Sequence, residues 1–148
     1  MFQVDSQLTR QTYAKIGTGN SETCPCGQCK NYRIQKEKAF PDDVLDLFAK
    51  LGIDFRKESE VYEVQRLDNG LHHYAGWFHF AGRITAGGDC KKQFAENSWQ
   101  IDLSEIDKDF KMGFTVGNAL SFFKKGTGLV QLEFETNIPW VITDPWSE

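Results

Sequence analysis

Three cysteines stand within six residues in Thr23-Cys24-Pro25-Cys26-Gly27-Gln28-Cys29-Lys30-Asn31, and no other stretch carries a comparable chemical signal. A Cys-x-x-Cys turn can set two thiolates on one ion while the intervening backbone N–H groups bond to sulfur. Cys26-Gly27-Gln28-Cys29 has that spacing, and Pro25 kinks the chain so that Cys24 can face inward as a third ligand. The expected chemistry is zinc binding, because zinc favours four tetrahedral sulfur or nitrogen ligands. Cys90 is the first candidate for the fourth, delivered by the flexible Gly87-Gly88 loop. His73 and His79 are the alternatives; on strand alternation they share one face and His72 takes the other. The plainer reading of each histidine is a hydrogen-bonded sheet residue, and of Cys90 a small buried apolar side chain.

Other uses of the turn are weaker. A thioredoxin-like redox motif opens a helix after a strand in a βαβ context, and no βαβ pattern surrounds these cysteines. Iron–sulfur ligands usually follow other spacings. Three unligated, exposed thiols would be an oxidation hazard. A site with three cysteines is soft and charge-rich, which dampens Lewis acidity and favours a structural ion. No His-Glu-x-x-His element accompanies it. A catalytic version would use Asp89 or Glu22 as base beside an open coordination position.

The rest of the chain must position that turn. Its 148 residues fit one domain, with 1–40 as a cysteine-rich N-terminal segment and 41–148 as a helix plus antiparallel sheet. Twelve Phe and four Trp predict a ring-filled core. A net charge of −4 argues against non-specific attachment to nucleic acid or anionic membrane. No long apolar run suggests a membrane span, and Met1 to Leu8 lack the pattern of a signal peptide. The cytoplasm is therefore expected, where clustered thiols stay reduced and bind metal. Lys30, Arg33, Lys36 and Lys38 form a locally basic segment beside the turn. It is read as a solvated helix face, with nucleic-acid contact as the alternative.

The clearest helix is 41–51. Pro41 suits its start, Asp42 and Asp43 its positive end, and Val44, Leu45, Leu47, Phe48 and Leu51 its apolar stripe. Gly52 supplies the left-handed stop. Beyond residue 60 the period becomes two. A run through Val61, Tyr62 and Val64 meets an Asp68-Asn69-Gly70 turn and returns as a long strand from His72 to Ile84. Gly76 and Gly82 suggest bulges or bends within it. Three more alternating runs centre on Trp99–Leu103, Phe110–Val116 and Val130–Phe134, with a short helical turn expected over 121–125. Val4, Leu8, Tyr13 and Ile16 offer a dilute helix face, and the Pro139–Trp146 tail is expected to be extended at an edge. The class is α+β: a twisted antiparallel sheet of about five strands, with one main helix on a face.

Cys24-Pro25-Cys26-Gly27 is similar to the opening of the small zinc motif at the end of the SecA translocation ATPase, a match that ends after those four residues. More broadly, Cys24-x-Cys26-x-x-Cys29-x-Asn31, Pro41, Leu51-Gly52-Ile53-Asp54 and Glu60-Val61-Tyr62 resemble an uncharacterised family of bacterial proteins. That family has no established activity, so the resemblance implies none. The function expected from the residues themselves is a zinc-binding, non-enzymatic adaptor with a protein partner. A metal-dependent hydrolase or thiol-redox enzyme built on the cysteine cluster is the alternative.

Overall fold

The computed structural model describes residues 2–147, apart from the side chains of Phe94 and Trp99, so the expected burial of Trp99 lies outside the described residues. Eight strands and four α-helices run in the order β1 (Phe2–Val4), α1 (Ser6–Ala14), α2 (Asn20–Thr23), α3 (Gly27–Gln35), α4 (Asp42–Leu51), β2 (Glu60–Arg66), β3 (His72–Ile84), β4 (Lys91–Ala95), β5 (Ser98–Ile101), β6 (Ser104–Asp107), β7 (Phe110–Val116) and β8 (Leu129–Ile138). A 3-10 turn, Lys36–Lys38, follows α3. The α+β class holds. Six strands form one antiparallel sheet in the order β1-β3-β8-β7-β6, and β2 pairs with the same edge of β3 as β1 does. The sheet is therefore five strands wide, with β2 on His72–Trp77 and β1 on Gly82–Ile84.

Alternation decides which side of the sheet is dry. Tyr74, Phe78 and Phe80 of β3 lie level with Thr136, Leu132 and Val130 of β8, and all are buried on the face that carries the helices. Phe40, just before Pro41, is the hub of this core. Its ring meets those of Phe48, Phe55, Phe78, Phe110 and Phe134 at centroid separations of 5.2–6.1 Å. Such edge-on aromatic contacts add to the area each ring removes from water.

Helix α4 follows the sequence expectation closely. Val44, Phe48 and Leu51 are its buried stripe, and Gly52 stops it at φ +87° with its N–H donating to the Phe48 carbonyl. A Cβ there would meet the Ser6 carbonyl at 2.5 Å. Gly52→Ala is expected to cost more than the roughly 1–2 kcal/mol of a left-handed non-glycine residue, because that contact adds to it. Urea denaturation of the variant measures this.

Several expectations change. Four helices pack on the sheet rather than one, because residues 6–35 are mostly helical. In α1 the buried side chains are Thr9 and Tyr13, whereas Leu8 is 38% exposed. The bulge between β2 and β3 falls at Glu63/Gln65, not at Gly76. Gly76 is instead required because the Glu60 carbonyl and the Phe134 ring leave no room for a Cβ. The run at Trp99 belongs to a separate β4–β5 hairpin, with Ile101 exposed, and residues 121–125 form no helical turn. Among the described residues the tail after Ile138 pairs with no strand; hydrogen bonds tie it to Gln28 and Asn31 of α3.

Candidate metal centre

The cysteine turn occupies the entry to α3. Cys26 is the cap: its sulfur accepts the Cys29 N–H at 3.4 Å, and its carbonyl accepts the Lys30 N–H. A helix start aims unpaired N–H groups and positive potential at this point, so sulfur is electrostatically favoured there. Cys24, Cys26 and Cys29 place their sulfurs within 4.8 Å of one another, with Cys24 and Cys26 3.1 Å apart. Bonds of about 2.3 Å in a tetrahedron require sulfurs about 3.8 Å apart, so the group closes on an ion with adjustments of under about 1 Å. These three sulfurs form a group that can hold a metal ion. Cys29 is buried, Cys24 half-buried and Cys26 exposed, so the site lies at the surface.

Two of the thiols are displaced in opposite directions. Hydrogen bonds from Cys26 lower the pKa of Cys24, with a smaller contribution from the nearby Arg33 guanidinium. Burial raises that of Cys29 well above its ordinary value.

What holds the turn in place is a polar scaffold. One nitrogen of Arg33 donates to both the Ser21 carbonyl (2.6 Å) and the Cys24 carbonyl (2.7 Å). Ser21, fully buried, donates its N–H and hydroxyl to Glu58, itself 0% exposed. Lys36 closes the group with its ammonium 3.0 Å from Glu58 and 3.1 Å from Glu22. The Asn20 N–H donates to the Glu58 backbone carbonyl, and any Cβ at Gly19 would strike the Glu58 carboxylate. A buried ion pair is expensive to break on one side only, because the remaining charge is left uncompensated. Nothing in the sequence pattern marks Glu58 as the partner of Lys36, because the pair is separated along the chain by α4.

The C-terminal tail straps the other side. Asn31, fully buried, donates to the Pro139 carbonyl and accepts the Val141 N–H, while Gln28 donates to the Ser147 carbonyl. The Trp140 ring lies against Gly27, and Lys30 pairs with Asp144 at 3.2 Å. Of the four cations in the basic segment, Arg33 and Lys36 are thus tied inward and Lys30 is paired.

The remaining expected ligands do not join the group. Cys90 is buried against Gly113 of β7, which lies level with Glu133 on the face away from the helices. The Gly87-Gly88 loop brings it there because Asp89 bridges to Phe114. Burial pushes its thiol up to about 11. His73 and His79 also occupy the face away from α3, as their register opposite Asn137 and Gln131 dictates. His73 contacts Asn137 at 2.7 Å. His72 is on the cysteine side, but it is bound to Glu63 at 2.6 Å beneath Trp140 and Trp146.

His79 has its own chemistry. Its ring bridges Ser59 and Gln131 at 3.0 Å each, and Gln131 donates to Glu133. Burial lowers its pKa below the ordinary value. The folded state therefore disfavours the proton, so stability is full above about pH 6.5 and falls as the pH drops below it. Glu133, raised by burial, contributes the opposite slope at lower pH. His79→Gln is expected to flatten the loss between neutral and mildly acid pH, read by thermal melts of both proteins.

The fold and the site together define an α+β domain with a surface three-cysteine cluster at a helix start. No family model, curated protein or solved structure matches the chain. Among the described residues, no helix is long and apolar enough to cross a membrane.

Proposed function

We propose that this protein is a zinc-clamped binding domain whose work is contact with another protein in a reducing compartment, the cytoplasm. The observation that carries the reading is the convergence of the Cys24, Cys26 and Cys29 sulfurs at the start of α3. Zinc suits this donor set, since it accepts thiolates without redox change and tolerates a soft, charge-rich shell. The ion then clamps the segment before α3 to the helix that packs on the sheet. Asn31 gives the Cys-x-Cys-x-x-Cys-x-Asn pattern a physical purpose, because it ties the strap to the same helix turn that carries Cys29. On this reading the bacterial family that the pattern resembles shares the clamp.

A hydrolytic role is less well supported. Glu22, one candidate base, is engaged by Lys36, and Asp89 lies beside Cys90 across the sheet. Nucleic-acid contact through residues 30–38 finds Arg33 and Lys36 already committed inside the protein. A thiol-redox role has one observation in its favour, the lowered Cys24 thiol 3.1 Å from Cys26.

The test is metal content by mass spectrometry on protein purified without chelator, paired with a thiol titration. About one zinc per chain, with the clustered thiols protected until chelator is added, is the expected result. Metal-free protein with two or more fast-reacting thiols would overturn the zinc reading in favour of redox chemistry.

A further inference from the structure

We infer that the fourth ligand of the metal is the imidazole of a histidine on another protein chain, so that the cysteine turn is a docking point which the partner completes. This deepens the zinc reading and rests on it. Three observations lead here.

First, the cluster stops at three. Among the described residues no further Cys, His, Asp or Glu side chain falls within the same 4.8 Å group. On its side of the sheet, Glu22 is paired with Lys36 and Asp144 with Lys30, and His72, held through Nδ1 by Glu63, lies outside the group. Cys90 is buried across the sheet, behind β7.

Second, the cluster is reachable. Cys26 is exposed, and the turn is flanked by Trp140 and Ile142, which lie against Gly27, with Val141 between them 51% exposed. An apolar rim beside an accessible ion is a surface that another protein can cover.

Third, charge selects the incoming donor. Three thiolates on a divalent zinc leave a net charge of −1. Arg33 is the cation tied to the turn itself, through the Cys24 carbonyl. A neutral imidazole keeps that balance, whereas a fourth thiolate or a carboxylate makes the site −2 beside one guanidinium. With zinc held by the three sulfurs alone, the fourth position would be left for water. A docking imidazole would replace that water, one zinc–oxygen bond giving way to one zinc–nitrogen bond with no electron or proton transferred.

Cobalt(II) loaded in place of zinc reports this directly, because its visible bands read both sulfur number and the fourth donor. The expected result is a three-sulfur tetrahedral spectrum that shifts on titration with imidazole and saturates at one site. It should be the same in Cys90→Ser, and the sulfur-to-cobalt bands should be lost in Cys26→Ser. Cobalt uptake with no response to imidazole, a response to added thiol alone, or a spectrum changed by Cys90→Ser would overturn the inference and leave the metal reading standing. Failure to take up either cobalt or zinc would remove the metal reading itself.

Discussion

Cys26→Ser is expected to abolish metal binding and to leave the metal-free protein as stable as before. The two effects separate because Cys26 plays two parts. As a cap it accepts the Cys29 N–H, and serine is among the best residues for that position. As a ligand it supplies a thiolate that a serine hydroxyl does not replace. Wild-type protein with free zinc a thousandfold above its dissociation constant gains about 4 kcal/mol. For a chain of this size that corresponds to a rise of roughly 8–16 °C in melting temperature, and the variant should show none of it. Calorimetric scans of both proteins, with and without chelator, measure the difference. Equal melting temperatures for zinc-loaded and chelated wild type would refute the clamp, because an ion that fixes the fold must stabilise it.

Lys36→Met is expected to destabilise the protein by about 3–5 kcal/mol. The lysine side chain is only 4% exposed, and its removal strands Glu58, which is 0% exposed, as an uncompensated buried carboxylate. Adding Glu58→Gln should recover a large part of the loss. The amide oxygen still accepts from Ser21, and the buried charge is gone. A double-mutant cycle in urea should therefore give strongly non-additive values, and near-additive ones would contradict the pairing. Metal affinity should fall with Lys36→Met, since Ser21 and Arg33 transmit the position of this ion pair to Cys24.

That ion pair also shows where sequence reading reaches its limit. The 41–51 helix was legible because its burial is paid for by apolar residues at helical spacing and its ends carry Pro41 and Gly52. Strands β7 and β8 were legible through strict alternation. The cysteine turn was legible because its geometry is local. Lys36 read as solvent-facing because its partner is remote in sequence and no periodicity encodes the pairing. Helix α1 was obscure for a related reason. Thr9, a polar residue that interrupts the apolar pattern, is 0% exposed, and its hydroxyl links the Asp5 carbonyl to the Ala81 N–H of β3. Burial here is justified by hydrogen bonds, which hydrophobic pattern does not register. The destination of Cys90 was beyond reach because a glycine loop constrains nothing about direction. The bridge from Asp89 to Phe114 and the backbone hydrogen bonds of Cys90 to Phe114 and Asp102 set it on the face away from the helices.

The strap gives the site a history in time. Gln28 and Ser147, joined by a hydrogen bond, are 119 positions apart in the chain. At ribosomal rates of about 5–20 residues per second, roughly 6–24 s pass between synthesis of the cysteine turn and synthesis of the segment that covers it. During that interval the thiols are at their most accessible, and so is any ion they have captured. Metal acquisition and oxidative damage then compete on the nascent chain, before Trp140 and its neighbours settle over Gly27.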